Sequence, residues 1–180
     1  MIPTPHPDSD PKALCCAVIT VSDTRTVATD PSGALMQRLL SEAGHQIIFY
    51  QVLRDEPEAI QAQLVDWGQN SELQVILLNG GTGIAPRDRT YDAIVPLLDK
   101  TLPGFGELFR LLSFQEIGSR AIASRAIAGL YQNKLIFSVP GSTNAVQLAM
   151  ERLILPELNH LESMIKDSPP HSTPPRDPSA

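Results

Sequence analysis

The apolar stretch Val75–Leu78 stops at Asn79 and is followed at once by Gly80, Gly81, Thr82 and Gly83. This break constrains the fold more than any other feature of the chain. A run with no polar side is buried on both faces, as in a strand of a parallel sheet. The glycines then let the backbone turn sharply and approach a ligand with no Cβ in the way. Three further segments read as strands: Leu14–Val21, rich in β-branched residues, Gln46–Leu53 and Lys134–Val139. Helical spacing fills the intervals between them. Ser32 reads as the cap of a helix through Ala43, with Leu35, Met36, Leu39 and Leu40 on one face and Gly44 as its stop. Asp55 precedes a helix with Pro57 in its first turn and Ile60, Leu64 and Trp67 on one side. Thr90–Leu98 is helical with an interruption near Pro96, and Phe105–Ser113 and Ser119–Ala128 read as shorter helical pieces. Asn144–Leu155 is a helix after the turn Pro140-Gly141-Ser142, and Pro156 opens a last helix ending near Ile165. Strands alternating with helices predict an α/β fold, a parallel sheet with helices on both faces.

The chain has 180 residues with 42% hydrophobic content, enough for one globular domain with a sizeable core. Its net charge is −6, which argues against a nucleic-acid surface, so any anion site is a local pocket. No apolar run approaches the ~20 residues of a membrane span, and the polar, proline-rich start lacks the apolar stretch of a secretory signal. Cys15 and Cys16 are adjacent on a strand and point to opposite faces, a poor disulfide and a poor metal pair. They read as core-filling thiols of a reducing cytoplasm. Nine of the 16 prolines lie within residues 3–11 and 169–178. Residues 1–12 and 167–180 therefore read as disordered tails around a single folded body, residues 13–166. No internal repeat is visible.

Four loops follow the four predicted strands and are expected at one edge of the sheet. The first carries Ser22, Asp23, Thr24 and Arg25; the second Asp55; the third Gly80–Asp88; the fourth Pro140, Gly141 and Ser142. Ligands of such sheets bind at the strands' carboxyl ends, where the strand order reverses. The third loop lacks the Gly-Lys-Ser/Thr ending of a P-loop and is not a G-x-G-x-x-G fingerprint. It reads as a backbone cradle for an anion, assisted by the Thr82 hydroxyl, or simply as a tight strand-to-helix turn. Ser142 is either an N-cap alone or also part of a phosphate site. Asp55 is a helix cap or a functional carboxylate, and Asp88 is either paired with Arg87 or Arg89 or functional. In the functional reading the two hold Mg²⁺, which favours one or two carboxylates plus phosphate oxygens and water. Arg120 and Arg125 read as a solvated face, with reach to an anion as the alternative. None of His6, His45, His160 and His171 stands at metal-ligand spacing with another.

Together these residues resemble the MoaB/Mog family, bacterial molybdopterin adenylyltransferases related to the first domain of gephyrin. The resemblance is carried by VITVSDTRTVATDPSG, LRDEPEAI, ILLNGGTGIAPRDRTYDAI, LPGFGELFRLLSFQEIGSRAIASRAIAG and LIFSVPGSTNAVQLAM, in the family's order across about Val18–Glu157. LSFQEIG is closer to the MoaB branch. The resemblance implies a three-layer α-β-α sandwich with a mostly parallel sheet, and Mg-ATP-dependent adenylylation of molybdopterin with release of pyrophosphate. It makes Asp55 and Asp88 the catalytic carboxylates and tentative Mg²⁺ ligands. Ser22, Asp23, Gly80, Gly81, Thr82, Gly83, Gly141 and Ser142 become substrate-binding positions. It also implies a cytoplasmic homo-oligomer, trimer or hexamer, with the molybdate-inserting enzyme as a downstream partner. Tyr91, where many relatives have proline, and Ala123, where leucine is common, depart from the pattern without removing a charged site residue. A non-catalytic molybdopterin carrier, or a scaffold, is the alternative expectation.

Overall fold

Six strands form one sheet in the order β2-β1-β3-β6-β5-β4. They are β1 Cys15–Val21, β2 Gln46–Leu53, β3 Val75–Asn79, β4 Lys100–Thr101, β5 Ile127–Tyr131 and β6 Lys134–Val139. The computed structural model describes residues 12–166; the tail readings at 1–11 and 167–180 lie outside the described residues. β2, β1, β3 and β6 run parallel, whereas β5 pairs antiparallel with β6 and β4 antiparallel with β5 at one edge. The sheet is thus mixed but mostly parallel. β1 lies between β2 and β3, so the chain leaves it first to one side and then to the other. That reversal opens a crevice at the carboxyl ends of β1 and β3.

Helices α1 Pro31–Glu42, α2 Pro57–Gly68, α3 Thr90–Ile94, α4 Pro103–Ile117, α5 Thr143–Ala149 and α6 Leu155–Lys166 flank the sheet. Because side chains alternate along a strand, one sheet feeds two cores. Val75 and Leu77 join Met36, Phe109, Val146 and Leu158 on one face; Ile76 and Leu78 join Ile60, Leu64, Trp67 and Ile94 on the other. Burying the whole β3 apolar run on both faces is what a continuous hydrophobic strand predicts. Cys16 is fully buried, and burial pushes its thiol up to about 12, in keeping with a core-filling role. No helix among the described residues is long and apolar enough to cross a membrane.

Three local readings need correction. Asp30, not Ser32, caps α1: its carboxylate accepts the Gly33 amide at 3.0 Å and Pro31 occupies the first turn. The segment Ser119–Ala128 is not a helix. It is a 3-10 turn, Gly118–Ala123, followed by the start of β5, which turns into β6 through Gln132 and Asn133 at φ 48° and 59°. A two-residue turn with both central residues at positive φ matches the twist of an antiparallel hairpin. Finally, no break separates the helix after Ser142 from the last one. A π turn, Met150–Ile154, joins α5 to α6 and widens the backbone just where Pro156 would clash with the preceding turn.

His45 links α1 to the sheet and carries a pH prediction. It is buried, and its Nδ1 accepts the Leu14 amide at 3.2 Å. Burial lowers its pKa, so the folded state holds the neutral ring. The unfolded chain therefore takes up the proton first. Its contribution is complete above about pH 6.5 and is lost as pH falls toward the lowered folded value. Urea melts at about pH 7.5 and 5.5 should show this loss, and His45→Gln should flatten it.

Candidate functional site

The loops after β1, β2, β3 and β6 meet at one rim of the sheet. A buried polar network holds them together at its base. The Asp30 carboxylate accepts from Tyr50 Oη of β2 at 2.6 Å and from Ser32 Oγ at 3.0 Å. Ser32 Oγ, whose single proton is shared between two acceptors, also lies 3.0 Å from Asn79 Oδ1 at the end of β3, and Asn79 Nδ2 donates to Thr20 Oγ1 of β1 at 2.8 Å. Arg25 enters from the β1 loop. Its guanidinium reaches Ser32 Oγ, Asp30 at 3.3 Å and the Gly141 carbonyl at 3.1 Å. Burial alone would raise the Asp30 carboxyl, but hydrogen bonds from Thr20, Tyr50, Gly33 and Ser32 outweigh it and hold the group ionised below its usual range. Tyr50 is pushed up to about 12, chiefly by burial and by its bond to Asp30.

The glycine loop needs its glycines. Gly80 and Gly81 have φ of 103° and 61°. A Cβ on Gly80 would collide with the Val21 carbonyl oxygen, and one on Gly81 with Thr90 Oγ1 and the Asp55 carboxylate. Gly80 donates to the Val139 carbonyl at 3.0 Å, and a Cβ on Gly141 would lie 3.1 Å from Gly80 Cα, so the third and fourth loops touch backbone to backbone. Ser142 caps α5 by accepting the Ala145 amide at 3.3 Å. Ser22 folds the first loop, its Oγ accepting the Thr24 and Arg25 amides.

The carboxylates line the outer side of this loop. Asp55 is 5% exposed and is not a helix cap; it accepts the Arg89 amide at 3.2 Å and the Thr90 hydroxyl at 3.3 Å. Burial raises its pKa, and the nearby charges of Asp88 and Asp23 push the same way. Asp88 Oδ2 accepts the Ala85 amide at 2.9 Å and lies against Gly83, where a Cβ would sit 2.6 Å from it. Asp88 is not paired with Arg87. That arginine instead grips Asp23 through two bonds of 2.6 and 2.7 Å and Glu56 at 2.9 Å. The Arg87 bonds hold the Asp23 carboxyl down at about 2. Asp23 also accepts the Asp55 amide at 3.3 Å, which ties the first loop to the second.

Among the described residues, no three His, Cys, Asp or Glu side chains are grouped to hold a metal unaided. The Asp55 and Asp88 carboxylates lie against Gly81 and Gly83 and would offer hard oxygen ligands beside the loop's backbone. That donor set fits an Mg²⁺ that shares its shell with substrate phosphates and water.

Arg125 does not sit on a solvated face. Its Nε donates to the Gly83 carbonyl at 2.7 Å, a second nitrogen to the Asp88 carbonyl, and the third to the Asp92 carboxylate at 2.9 Å. Its own amide donates to the Thr82 carbonyl at 2.9 Å, and its guanidinium stacks over Tyr91 at 5.0 Å. One side chain thus clamps both ends of the Gly83–Asp88 segment. Arg125→Ala should cost about 2 kcal/mol and accelerate amide exchange at Ala85 and Asp88; Arg125→Lys, lacking the planar fork, should restore only part. Unchanged exchange in Arg125→Ala would show that the clamp is idle. Sequence spacing did not single out Asp30 or Asn79, and it named Arg25 and Arg125 without their partners, which lie 116 and 42 residues away respectively.

A cleft of about 240 Å³ lies on the inner side of the loop, between Thr82, Gly83, Ser142 and the carboxyl half of α4. An α/β domain with such a rim falls in a class recognised independently: a family profile described as a probable molybdopterin binding domain matches residues 17–160. The molybdenum cofactor biosynthesis protein B of Halalkalibacterium halodurans is 55% identical over 164 residues, 90% of this chain and 96% of that protein. A crystal structure of a molybdenum cofactor biosynthesis protein B superposes with a TM-score of 0.86 at 48% identity, covering 89% of this chain and all of that one. The molybdopterin biosynthesis enzyme MoaB of Thermus thermophilus superposes with a TM-score of 0.76 at 34% identity over 87% of this chain and 98% of that one. The chain belongs to the MoaB family, the molybdenum cofactor biosynthesis protein B family.

Proposed function

We propose that the rim binds molybdopterin and Mg-ATP and transfers an adenylyl group between them. The terminal phosphate of the pterin attacks the α-phosphorus of ATP. A new P–O bond forms, the bond from the α-phosphorus to the bridging oxygen breaks, and pyrophosphate leaves with that electron pair. A phosphate monoester has its second pKa near about 6, so the nucleophile is already ionised at neutral pH and needs no strong base. The chain's own contribution is positioning and electrostatics. Backbone amides of Gly81–Gly83 and the hydroxyls of Thr82 and Ser142 face phosphate oxygens, while Asp55 and Asp88 would ligate the cation bound to the triphosphate. That cation screens the charge of the transferring group. Ser22, Asp23 and Gly141 shape the rim on either side.

The observation that supports this reading is that Asp55, Asp88 and the glycine loop share one rim in a member of a molybdenum cofactor biosynthesis family. Incubation with Mg-ATP and molybdopterin should release pyrophosphate in step with adenylylated pterin. Tight pterin binding with no pyrophosphate would make the protein a carrier instead. We also propose self-association. Leu108, Leu111, Phe114, Ile117 and Ile122 are each at least 51% exposed along α4 and the turn after it, an apolar stripe suited to a second copy. Sedimentation should give a trimer or hexamer, and a monomer at micromolar concentration would sink that expectation.

A further inference from the structure

The sheet has two edges, and they are built differently. β4 is two residues long and carries Lys100, so it offers little unpaired backbone and a charge besides. β2 is eight residues long, QIIFYQVL, with neither charge nor proline. Its ladder to β1 runs without irregularity from Phe49 to Leu53. The Leu53 carbonyl faces β1, where it accepts the Ser22 amide at 2.8 Å. Backbone groups of successive residues point to opposite sides of a strand. Gln51 and Phe49 therefore face β1 as well, and Tyr50 and Val52 turn their N–H and C=O outward. No strand among the described residues pairs with that side. A long, uncharged, apolar edge is a template for another strand and calls for a specific cover.

We propose that residues 2–8 of this same chain cover that edge as a strand antiparallel to β2, with Ile2, Thr4 and His6 facing β2 and Pro3, Pro5 and Pro7 facing away. The prolines set the phase. They recur at every second residue, so in an extended segment all three fall on one side. An edge strand in this phase loses no ladder bond to the missing N–H of proline. The other side keeps the N–H groups of Ile2, Thr4 and His6 for β2. Each of those residues precedes a proline and is pushed toward extended backbone, which lowers the entropy lost on docking. The outward prolines close the new edge to any further strand. The proline-rich segment at the other end of the chain has no such phase: Pro169-Pro170 and Pro174-Pro175 are adjacent, so one of each pair would face the ladder. Direction and reach suit the N-terminal segment too. The Lys12 amide donates to Asn159 Oδ1 at 3.2 Å, and the Leu14 carbonyl accepts the amide of Gln46, the first residue of β2. The chain thus enters β1 at the end of the sheet where β2 begins, and residues before Lys12 that lie along β2 run antiparallel to it. The six residues from His6 to Lys12 reach about 20 Å, while two strand spacings come to about 10 Å.

Residue-resolved hydrogen exchange on the full-length chain, read at the Tyr50 and Val52 amides, is the test. Both should exchange about tenfold more slowly in the parent than in Thr4→Pro, which removes a donor and sets a proline ring on the β2 side. Pro5→Ala, on the far side, should keep the parent's protection to within about threefold, the loss being only that of a less restricted free segment. Gln51, whose amide faces β1, should be unchanged in all three proteins and reports that the sheet is intact. Fast exchange at Tyr50 and Val52 in the parent overturns the proposal. Equal losses in Pro5→Ala and Thr4→Pro, or a loss that reaches Gln51, overturn it as well. So does protection that survives Thr4→Pro; if that protection rises with protein concentration, the edge belongs to a second copy of the chain.

Discussion

Asp88→Asn and Asp55→Asn should each lower pyrophosphate release by about 10²–10³-fold while the protein stays folded. Both substitutions keep the shape of the side chain and an oxygen acceptor. In Asp88→Asn that acceptor remains available to the Ala85 amide; in Asp55→Asn it remains for the Arg89 amide. What each loses is the negative charge that a cation on the triphosphate requires. For Asp55 the stability change has a sign that separates it from a merely structural residue. Burial and the neighbouring carboxylates raise its pKa. In the metal-free protein at neutral pH its charge therefore works against folding, and Asn should melt no lower than the parent, with any gain present above the folded pKa. That gain vanishes below about pH 4, where the acid is neutral in both states. A variant that is inactive and as stable as its parent is the mark of a residue kept for function at the expense of the fold. Pyrophosphate assays alongside thermal melts decide the matter, and full turnover in both variants would remove the pair from the mechanism.

Gly80→Ala should be the most damaging single methyl in the chain. Gly80 sits at φ 103°, a region that side chains avoid, and its added carbon would strike the main-chain oxygen of Val21. Backbone cannot swing aside as a side-chain tip can. The strain of the dihedral and the overlap together should cost about 3 kcal/mol, a fall in melting temperature of about 6–12 °C for a domain of this size. Relief requires β1 and β3 to part at their carboxyl ends, so binding of both substrates should weaken with stability. Gly44→Ala is the control. Gly44 has φ 87° with nothing within 4 Å of its would-be Cβ, so only the dihedral penalty applies, about 1 kcal/mol. Similar losses at the two positions would mean that the crowding at Gly80 is absorbed elsewhere.

Much of the architecture was legible in the chain. The apolar runs of β1, β2, β3 and β6 fall within a residue of their expected bounds; β1, β3 and β6 are buried on both faces and so leave a continuous signature, while β2 is a half-buried edge strand. β5 was hidden. Ile127–Tyr131 follows a stretch of alanines, serines and arginines whose spacing suits a helix, and its hairpin turn uses Gln132-Asn133 in place of a glycine signal. The cap at Asp30 was there to be seen, since proline next to it favours the first helical position. The difference between Asp30 and Ser32 is small in sequence but large at the site, where Ser32 is free to bond Asn79 because it does not cap.

Sequence alone determined which loops would gather at the rim, because parallel strands joined by helices all end on the same edge, and it marked Gly80 and Gly81 as positions where a side chain has no room. It could not say how the charges there are divided. Arg87 turns to Asp23 and Glu56, Arg125 turns inward to clamp the Gly83–Asp88 segment, and Asp88 has no cationic side chain paired with it among the described residues. Those choices depend on distances between segments far apart along the chain. Ion pairs and buried hydroxyls leave no periodic trace in a sequence, so only the packed tertiary structure decides which carboxylates are neutralised and which remain to act.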